Sequence, residues 1–249
     1  MVCGWCNADG VSVQVKKHGY DVLRCGACGA LYVPVGTSYD PKAVYGPGYL
    51  TGRYAGTESF YKDYFADEAK HRAKAQKILR IIGGDGKRGA LYEMGCGPGF
   101  LLDEARKDGW GGVWGTEMSD EAVDHACKKL GLLVQMQRTP SFAMAHANVA
   151  IDVMEHIPID EIRVIVSELY DCARSILAIE TIFSDGIDDV VNWKMMQPPR
   201  HLTFLSLKEW VKLLPIVPEL HNLAAKGETR LPGNPKPGVA TLMVWRKNQ

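Results

Sequence analysis

Glu93-Met94-Gly95-Cys96-Gly97-Pro98-Gly99-Phe100 constrains the fold of this chain more than any other segment. It follows the apolar run Ala90-Leu91-Tyr92 and precedes Leu101-Leu102-Asp103-Glu104-Ala105-Arg106, which has helical spacing. Strand, glycine loop and helix in that order make the nucleotide-binding first turn of an open α/β sheet. Glycine lets the backbone approach a ligand and adopt turns that other residues avoid. The helix start then offers unpaired N–H groups and a positive dipole end to an anionic group. Glu117 stands twenty positions after Gly97, at the end of Val113-Trp114-Gly115-Thr116. A carboxylate there accepts both ribose hydroxyls.

The loop also discriminates among nucleotides. A dinucleotide fingerprint needs a third glycine where Phe100 stands, and the Glu93 carboxylate would repel a pyrophosphate. The same carboxylate suits an ammonium group. Adenosine joined to a sulfonium and a methionine zwitterion, S-adenosylmethionine, fits both acids. A tight turn with no ligand is the plain alternative.

Three segments in order resemble class I S-adenosylmethionine-dependent methyltransferases: Glu93-x-Gly95-x-Gly97-x-Gly99, Glu117, and Asp152-Val153-Met154-Glu155-His156-Ile157-Pro158. Pro198-Pro199-Arg200-His201-Leu202-Thr203-Phe204-Leu205-Ser206 is similar to a segment of the sugar, glycan and small-molecule branch. The resemblance implies a doubly wound, mostly parallel seven-stranded Rossmann-like sheet with a C-terminal antiparallel hairpin. It implies cofactor contacts from Glu93, Gly95, Cys96, Gly97, Pro98, Gly99, Glu117, Met118, Val153 and Met154. Many relatives carry an Asp after the third strand to hold the adenine. Here Gln137-Arg138-Thr139-Pro140-Ser141-Phe142 has no acid, which leaves that contact to backbone or to Ser141.

Cys3-x-x-Cys6 and Cys25-x-x-Cys28 are separated by eighteen residues. Each pair has metal-knuckle spacing, and together they supply four thiolates for a structural, tetrahedral Zn2+. Ser12–Val15 and Tyr20–Arg24 alternate like short strands, so residues 1–34 read as a zinc ribbon. So small a unit has almost no core, and metal supplies its folding energy. Four reduced thiols, or a redox pair, is the competing reading. Cys127 and Cys172 fall on apolar helix faces and read as core. The ribbon with the motifs above resembles the front end of zinc-ribbon methyltransferases of sugar and surface-glycan biosynthesis.

The chain has 249 residues, enough for one large α/β domain and a small module. No stretch reaches the ~18 consecutive apolar residues of a membrane span, and the N-terminus lacks a signal peptide's basic flank and apolar core. A cytoplasmic location is expected. Formal net charge is zero, and the first thirty residues hold Lys16, Lys17 and Arg24 against Asp9 and Asp21. Neither gives the basic stripe that nucleic-acid binding uses. A small-molecule or glycan acceptor is the expected partner; oligomeric state is left open.

Residues 35–87 read as a linker or lid rich in Gly, Pro and Tyr, then an amphipathic helix over 57–82 stopped by Gly83-Gly84. Tyr39, Tyr45, Tyr49 and Tyr54 are candidates for a substrate wall. His71 and Arg72 read as a solvated face. Residues 88–249 form the cofactor-binding domain, with strands and helices alternating. Ser206-x-x-Glu209 reads as a capping box.

Methyl transfer from a sulfonium needs alignment and, for a hydroxyl acceptor, a base. His156, just past the fourth strand, and His201, in the long loop after the fifth, are the candidates. Each has a bland alternative as a histidine packed on backbone. Glu155 is a further acid at the site. Two other functions stand beside this one: an RNA methyltransferase with a zinc-binding recognition module, and a non-catalytic cofactor-binding protein whose ribbon docks a partner. The chain lacks an Asn/Asp-Pro-Pro-aromatic motif and any Pro-Cys pair, and its intact loop argues against decay.

Overall fold

The computed structural model describes residues 1–36, 39–52, 63–84, 86–140, 144–223, 229–230 and 238–247. Tyr54, Ser141, Phe142, the first turn of the expected 57–82 helix and the end of the first hairpin strand lie outside them.

In chain order the described elements are β1 (Val11–Lys17), β2 (Tyr20–Cys25), β3 (Leu31–Tyr32), α1 (Pro41–Val44), a 3₁₀ turn (Phe65–Asp67) and α2 (Glu68–Ile82). Then come β4 (Ala90–Met94), α3 (Phe100–Lys107), β5 (Gly112–Glu117), α4 (Asp120–Asp124), a π-turn (His125–Lys129), β6 (Leu133–Met136) and β7 (Ala145–Ile151). A 3₁₀ turn (Met154–His156) leads to α5 (Ile162–Cys172), β8 (Ala173–Thr181), β9 (Thr203–Phe204), α6 (Leu207–Val211), β10 (Glu219–Asn222), β11 (Thr229–Arg230) and β12 (Thr241–Arg246).

The large sheet has the order β11-β10-β12-β8-β7-β4-β5-β6. Its β4 strand is parallel to β5 and β7, and β6 is parallel to β5. Such a central strand is covered on both faces, which is why Ala90-Leu91-Tyr92-Glu93-Met94 is buried almost throughout rather than alternating. The antiparallel hairpin at the C-terminus is β10 with β12, and β11 adds an eighth strand on the edge. Among the described residues no helix is long and apolar enough to cross a membrane.

Two compact units divide the chain. One holds 40–151, 168–178 and 246–249. Within it α2 presents Ala75, Ile78, Leu79, Ile81 and Ile82 inward and ends at Gly83. Its other face is not merely solvated. Arg72 reaches Glu68 at 2.6 Å, Asp103 at 2.7 Å and Glu104 at 2.7 Å, tying α2 to α3. Ser119 caps α4 by accepting from the Ala122 amide. After α4 the helical turn widens into the π-turn, which brings His125 Nδ1 to 2.9 Å from the Pro98 carbonyl. Cys127 and Cys172 are half-buried rather than core.

The other unit holds 1–39, 152–167 and 179–245. Its four-stranded sheet runs β1-β2-β3-β9. The ribbon hairpin is therefore extended by a strand from the second half of the chain, with Leu31 opposite Phe204 and Tyr32 opposite Thr203. Val22, Leu31, Val33, Ile187, Leu202 and Phe204 share one apolar core. The Ser206-x-x-Glu209 capping box does not form: Ser206 sits at the N-cap of α6, but its hydroxyl makes no capping bond. It donates to the Cys28 carbonyl at 2.9 Å, and Glu209 accepts from Trp5 Nε1 at 2.8 Å.

Candidate active site

The glycine loop begins where β4 ends. Gly95, Gly97 and Gly99 all have left-handed backbones, with φ of 65°, 51° and 87°. The three glycines do different work. A Cβ on Gly99 would lie 2.6 Å from Leu132 Cδ1 and 3.1 Å from Ala126 Cβ, so Gly99 lets α3 pack on its neighbours. A Cβ on Gly97 would meet none of the described residues within 4 Å, so that position faces open space among them. Gly99 is the N-cap of α3 and supplies no side-chain cap, which leaves the first amides of the helix to a ligand or water.

Glu117 lies at the end of β5, where its carboxylate accepts from the amides of Gly97 at 2.8 Å, Met118 at 2.6 Å and Ser119 at 2.8 Å. Burial pushes its pKa up against these bonds, which pull it down. The acid thus stands beside the loop and fixes its shape. Glu93 is buried, and its Oε2 has no hydrogen-bond partner among the described residues. Burial, then the charge of Glu117, drives its pKa well above the carboxylate range, and Lys74 opposes them. A buried carboxyl with an unpaired oxygen beside an open glycine face accommodates a ligand cation, which restores its charge. Cys96 is buried in the same loop and its thiol is held protonated, chiefly by burial. Tyr64, His71 and Phe100 stack nearby, with the Tyr64 and His71 rings 3.9 Å apart.

In the other unit, Val153 and Met154 are buried at the turn after β7. Asp152, which precedes them, has a left-handed backbone at φ 53°. Strain of this kind concentrates at functional sites, and a short polar residue at a strand end was the available sequence signal. His156 and His201 come together: their ring centroids are 4.8 Å apart. His156 Nδ1 donates to the Arg200 carbonyl at 3.0 Å, and His201 Nδ1 donates to the Met195 carbonyl. A carbonyl only accepts, so His201 carries its proton on Nδ1, while the His156 ring meets two backbone carbonyls, those of Arg200 and Asp152. Burial lowers both pKa values. For His201 the neighbouring His156 adds to the effect and takes it to about 3. Glu155 is buried and accepts from Thr181 Oγ1 at 3.3 Å.

The four ribbon cysteines also converge. Their sulfurs lie within 4.8 Å of one another, with Cys3–Cys28 at 3.8 Å and Cys6–Cys25 at 3.6 Å. Bonds of about 2.3 Å at the tetrahedral angle separate sulfurs by about 3.8 Å, the geometry of a Cys₄ zinc site. Burial raises the Cys25 thiol, but amides of Cys28 and Ala27 outweigh it and bring it down to about 7. Burial drives the Cys3 and Cys28 thiols up instead, so the knuckle backbone favours thiolate, the form that binds metal, at Cys25 alone of these three.

A parallel sheet of this order, with a glycine loop after its central strand and an acid closing the next one, has the fold of class I S-adenosylmethionine-dependent methyltransferases. A methyltransferase-domain family profile matches residues 65–215, more than half of the chain, and the chain belongs to that family. No curated protein matches it by sequence. Among solved structures it is similar to magnesium protoporphyrin IX methyltransferase (ChlM) from Synechocystis PCC 6803 with bound SAM, at 16% identity and TM-score 0.56, covering 86% of this chain and 100% of that one. It is also similar to a possible histamine N-methyltransferase from Thermotoga maritima, at 15% identity and TM-score 0.54, covering 76% and 96%. The plantazolicin methyltransferase BpumL in complex with SAH is 13% identical with TM-score 0.54, covering 84% and 97%. At these identities the likeness is one of fold.

Proposed function

We propose that this chain methylates a hydroxyl of a small molecule or glycan, using S-adenosylmethionine as donor and His156 as base. The buried Glu93 with its partnerless oxygen carries the cofactor assignment. Glu93 would receive the cofactor's ammonium, the Gly95–Gly99 backbone its carboxylate end, and Glu117 its ribose, with Cys96, Pro98 and Met118 beside them. Bound S-adenosylmethionine supplies an electrophilic methyl on a sulfonium whose departure leaves a neutral thioether, so no acid is required.

On the acceptor side the chain must orient the hydroxyl and remove its proton. A base works best when its pKa lies near the working pH. Burial lowers both histidines and takes His201 to about 3, so the proton is assigned to His156, whose ring also meets the Arg200 carbonyl. His201 packs against His156 and fixes its orientation. The Cys₄ cluster would hold one structural zinc.

Calorimetry with S-adenosylmethionine and NAD tests the donor; NAD binding alone would overturn it. Transfer of labelled methyl into fractionated cell glycans and metabolites tests the acceptor. Preferential labelling of RNA would replace this reading with a nucleic-acid one.

A further inference from the structure

We infer that the metal knuckle positions the segment carrying His201: Cys28, through its backbone carbonyl and the hydroxyl of Ser206, couples metal occupancy to the acceptor wall. The inference rests on the proposed zinc site and on the acceptor role given to the two histidines.

Residues 199–206 make few bonds among themselves and many to two other segments. Leu202 N–H donates to the Glu155 carbonyl at 2.6 Å, and Val33 N–H donates to the Leu202 carbonyl at 2.8 Å. Thr203 and Phe204 pair with Tyr32 and Leu31. The Arg200 carbonyl accepts from His156. The segment is thus a strand added to the ribbon's own sheet, with the histidine pair at its start.

Its far end is fixed at the knuckle. Ser206 is buried, and a serine at a helix start ordinarily spends its hydroxyl on its own helix. Here it spends it on Cys28, whose sulfur is one of the four converging ligands. Gly29, with φ 75°, turns the chain beneath it, and a Cβ there would touch Ser206 Cβ at 3.7 Å. The ribbon also grips the loop that leads into the segment. Arg24 donates to the Ile187 carbonyl, and Lys17 Nζ donates to the Trp193 carbonyl at 3.1 Å. Two residues on is Met195, whose carbonyl holds His201, and Lys17 Nζ lies 3.5 Å from the carbonyl of Met196 beside it.

A ribbon this small keeps little order without its metal. Once the knuckle loosens, the Cys28 carbonyl no longer holds a fixed position, and the strand that presents His201 loses one of its two borders. Cofactor contacts at Glu93, Gly97 and Glu117 lie in the other compact unit and need none of these bonds.

The test compares three forms of the full chain: zinc-loaded wild type, chelator-stripped wild type, and zinc-loaded Ser206→Ala. Hydrogen exchange is read over 199–206, the His156 and His201 imidazole nitrogens are read by NMR, and zinc content and S-adenosylmethionine binding are measured on each. Stripping should speed exchange over 199–206 by about tenfold or more, the range of a local opening, with cofactor affinity unchanged. Ser206→Ala should keep its zinc, speed the same amides, and shift both imidazole signals, while Ser206→Thr restores all three readouts. Wild type that carries no zinc and does not respond to added zinc overturns the inference. So does loosening confined to residues 1–30. If stripping unfolds the whole chain, Ser206→Ala decides: unchanged exchange and unchanged imidazole signals sink the coupling. Failure of wild type to bind S-adenosylmethionine overturns the proposed function instead and leaves the exchange comparison readable.

Discussion

Gly97→Val separates binding from folding at the glycine loop. Gly97 has φ 51°, and a Cβ there meets none of the described residues within 4 Å. An L-residue in the left-handed region costs about 1–2 kcal/mol, and β-branching places valine at the upper end. No packing term adds to it, so the loss is about 2 kcal/mol, or roughly 4–8 °C in Tm for a chain of this size. The amide bond from Gly97 to Glu117 uses only backbone on the glycine side and should persist. Cofactor affinity falls for a different reason. The isopropyl group occupies the space proposed for the ligand, and overpacking of about 1–3 kcal/mol weakens Kd by roughly 5–150-fold. Gly99→Ala is the opposite case. Its Cβ would press on Leu132 and Ala126, and its φ is 87°, so it should lose about 2–4 kcal/mol of stability, more than Gly97→Val. Calorimetry with S-adenosylmethionine and a thermal melt on both variants give the comparison. If Gly97→Val melts as expected yet binds the cofactor within about twofold of wild type, the open space beside Gly97 is not the cofactor's.

Arg72→Ala should cost about 1–3 kcal/mol in urea unfolding, because it strips a partner from the buried Asp103 and Glu104; the partly exposed arginine keeps the figure below that of a sealed ion pair. Burial opposes ionisation of those two acids, but Lys107, Arg72 and their other partners hold both below the carboxylate range, so the stability they add is present at neutral pH and fades as pH falls through their lowered values. His201 has the opposite chemistry and the same direction in pH: its folded value near 3 against 6.5 when unfolded means that stability is full above about 6.5 and drains by up to about 1.4 kcal/mol per unit below it. His201→Asn should therefore shrink the wild-type stability difference between pH 7 and pH 5 by about 2 kcal/mol, and an unchanged difference would mean the ring is solvated. Once an acceptor is found, His156→Ala should slow single-turnover transfer by roughly 10²–10⁴-fold with cofactor binding intact, and a wild-type rate would remove it as base. Protein purified without chelator should carry one zinc per chain and lose it on Cys25→Ser; zinc content unaffected by that change would refute the Cys₄ assignment.

Where sequence and structure agree, the chemistry is local. Glu93 through Phe100 encode their turn within eight residues, because left-handed glycines and a following helix leave the backbone few choices. Glu117 was legible from its spacing, since a strand and its crossover helix have nearly fixed lengths. The cysteine pairs were legible because a knuckle is a four-residue object. Where the two diverge, the partner is distant. Ser206 and Glu209 have a capping-box spacing, and nothing within ten residues tells that their side chains go to Cys28 and Trp5 instead. Arg72 looks like one more cation on a charged helix face until α3 brings two acids to it. His125 belongs to a helical pattern that gives no sign of the π-turn aiming it at Pro98.

The segment His201-Leu202-Thr203-Phe204-Leu205-Ser206 shows why distance matters for function as well as for fold. Every one of its residues is buried. As sequence it is a short polar–apolar stretch in a long loop, similar to a segment of the sugar, glycan and small-molecule branch. As structure it is the fourth strand of the ribbon's sheet, with a histidine at one end and a bond to the Cys25–Cys28 knuckle at the other. The ribbon then cannot be a free-standing cap. Its β3 strand pairs with this segment, and its Arg24 and Lys17 hold the preceding loop. Those bonds join residues 1–34 to the segment that carries His201. With three cations, Lys16, Lys17 and Arg24, against Asp9 and Asp21, the first thirty residues offer little to a polyanion, and their sheet is continued by the strand that carries Thr203 and Phe204.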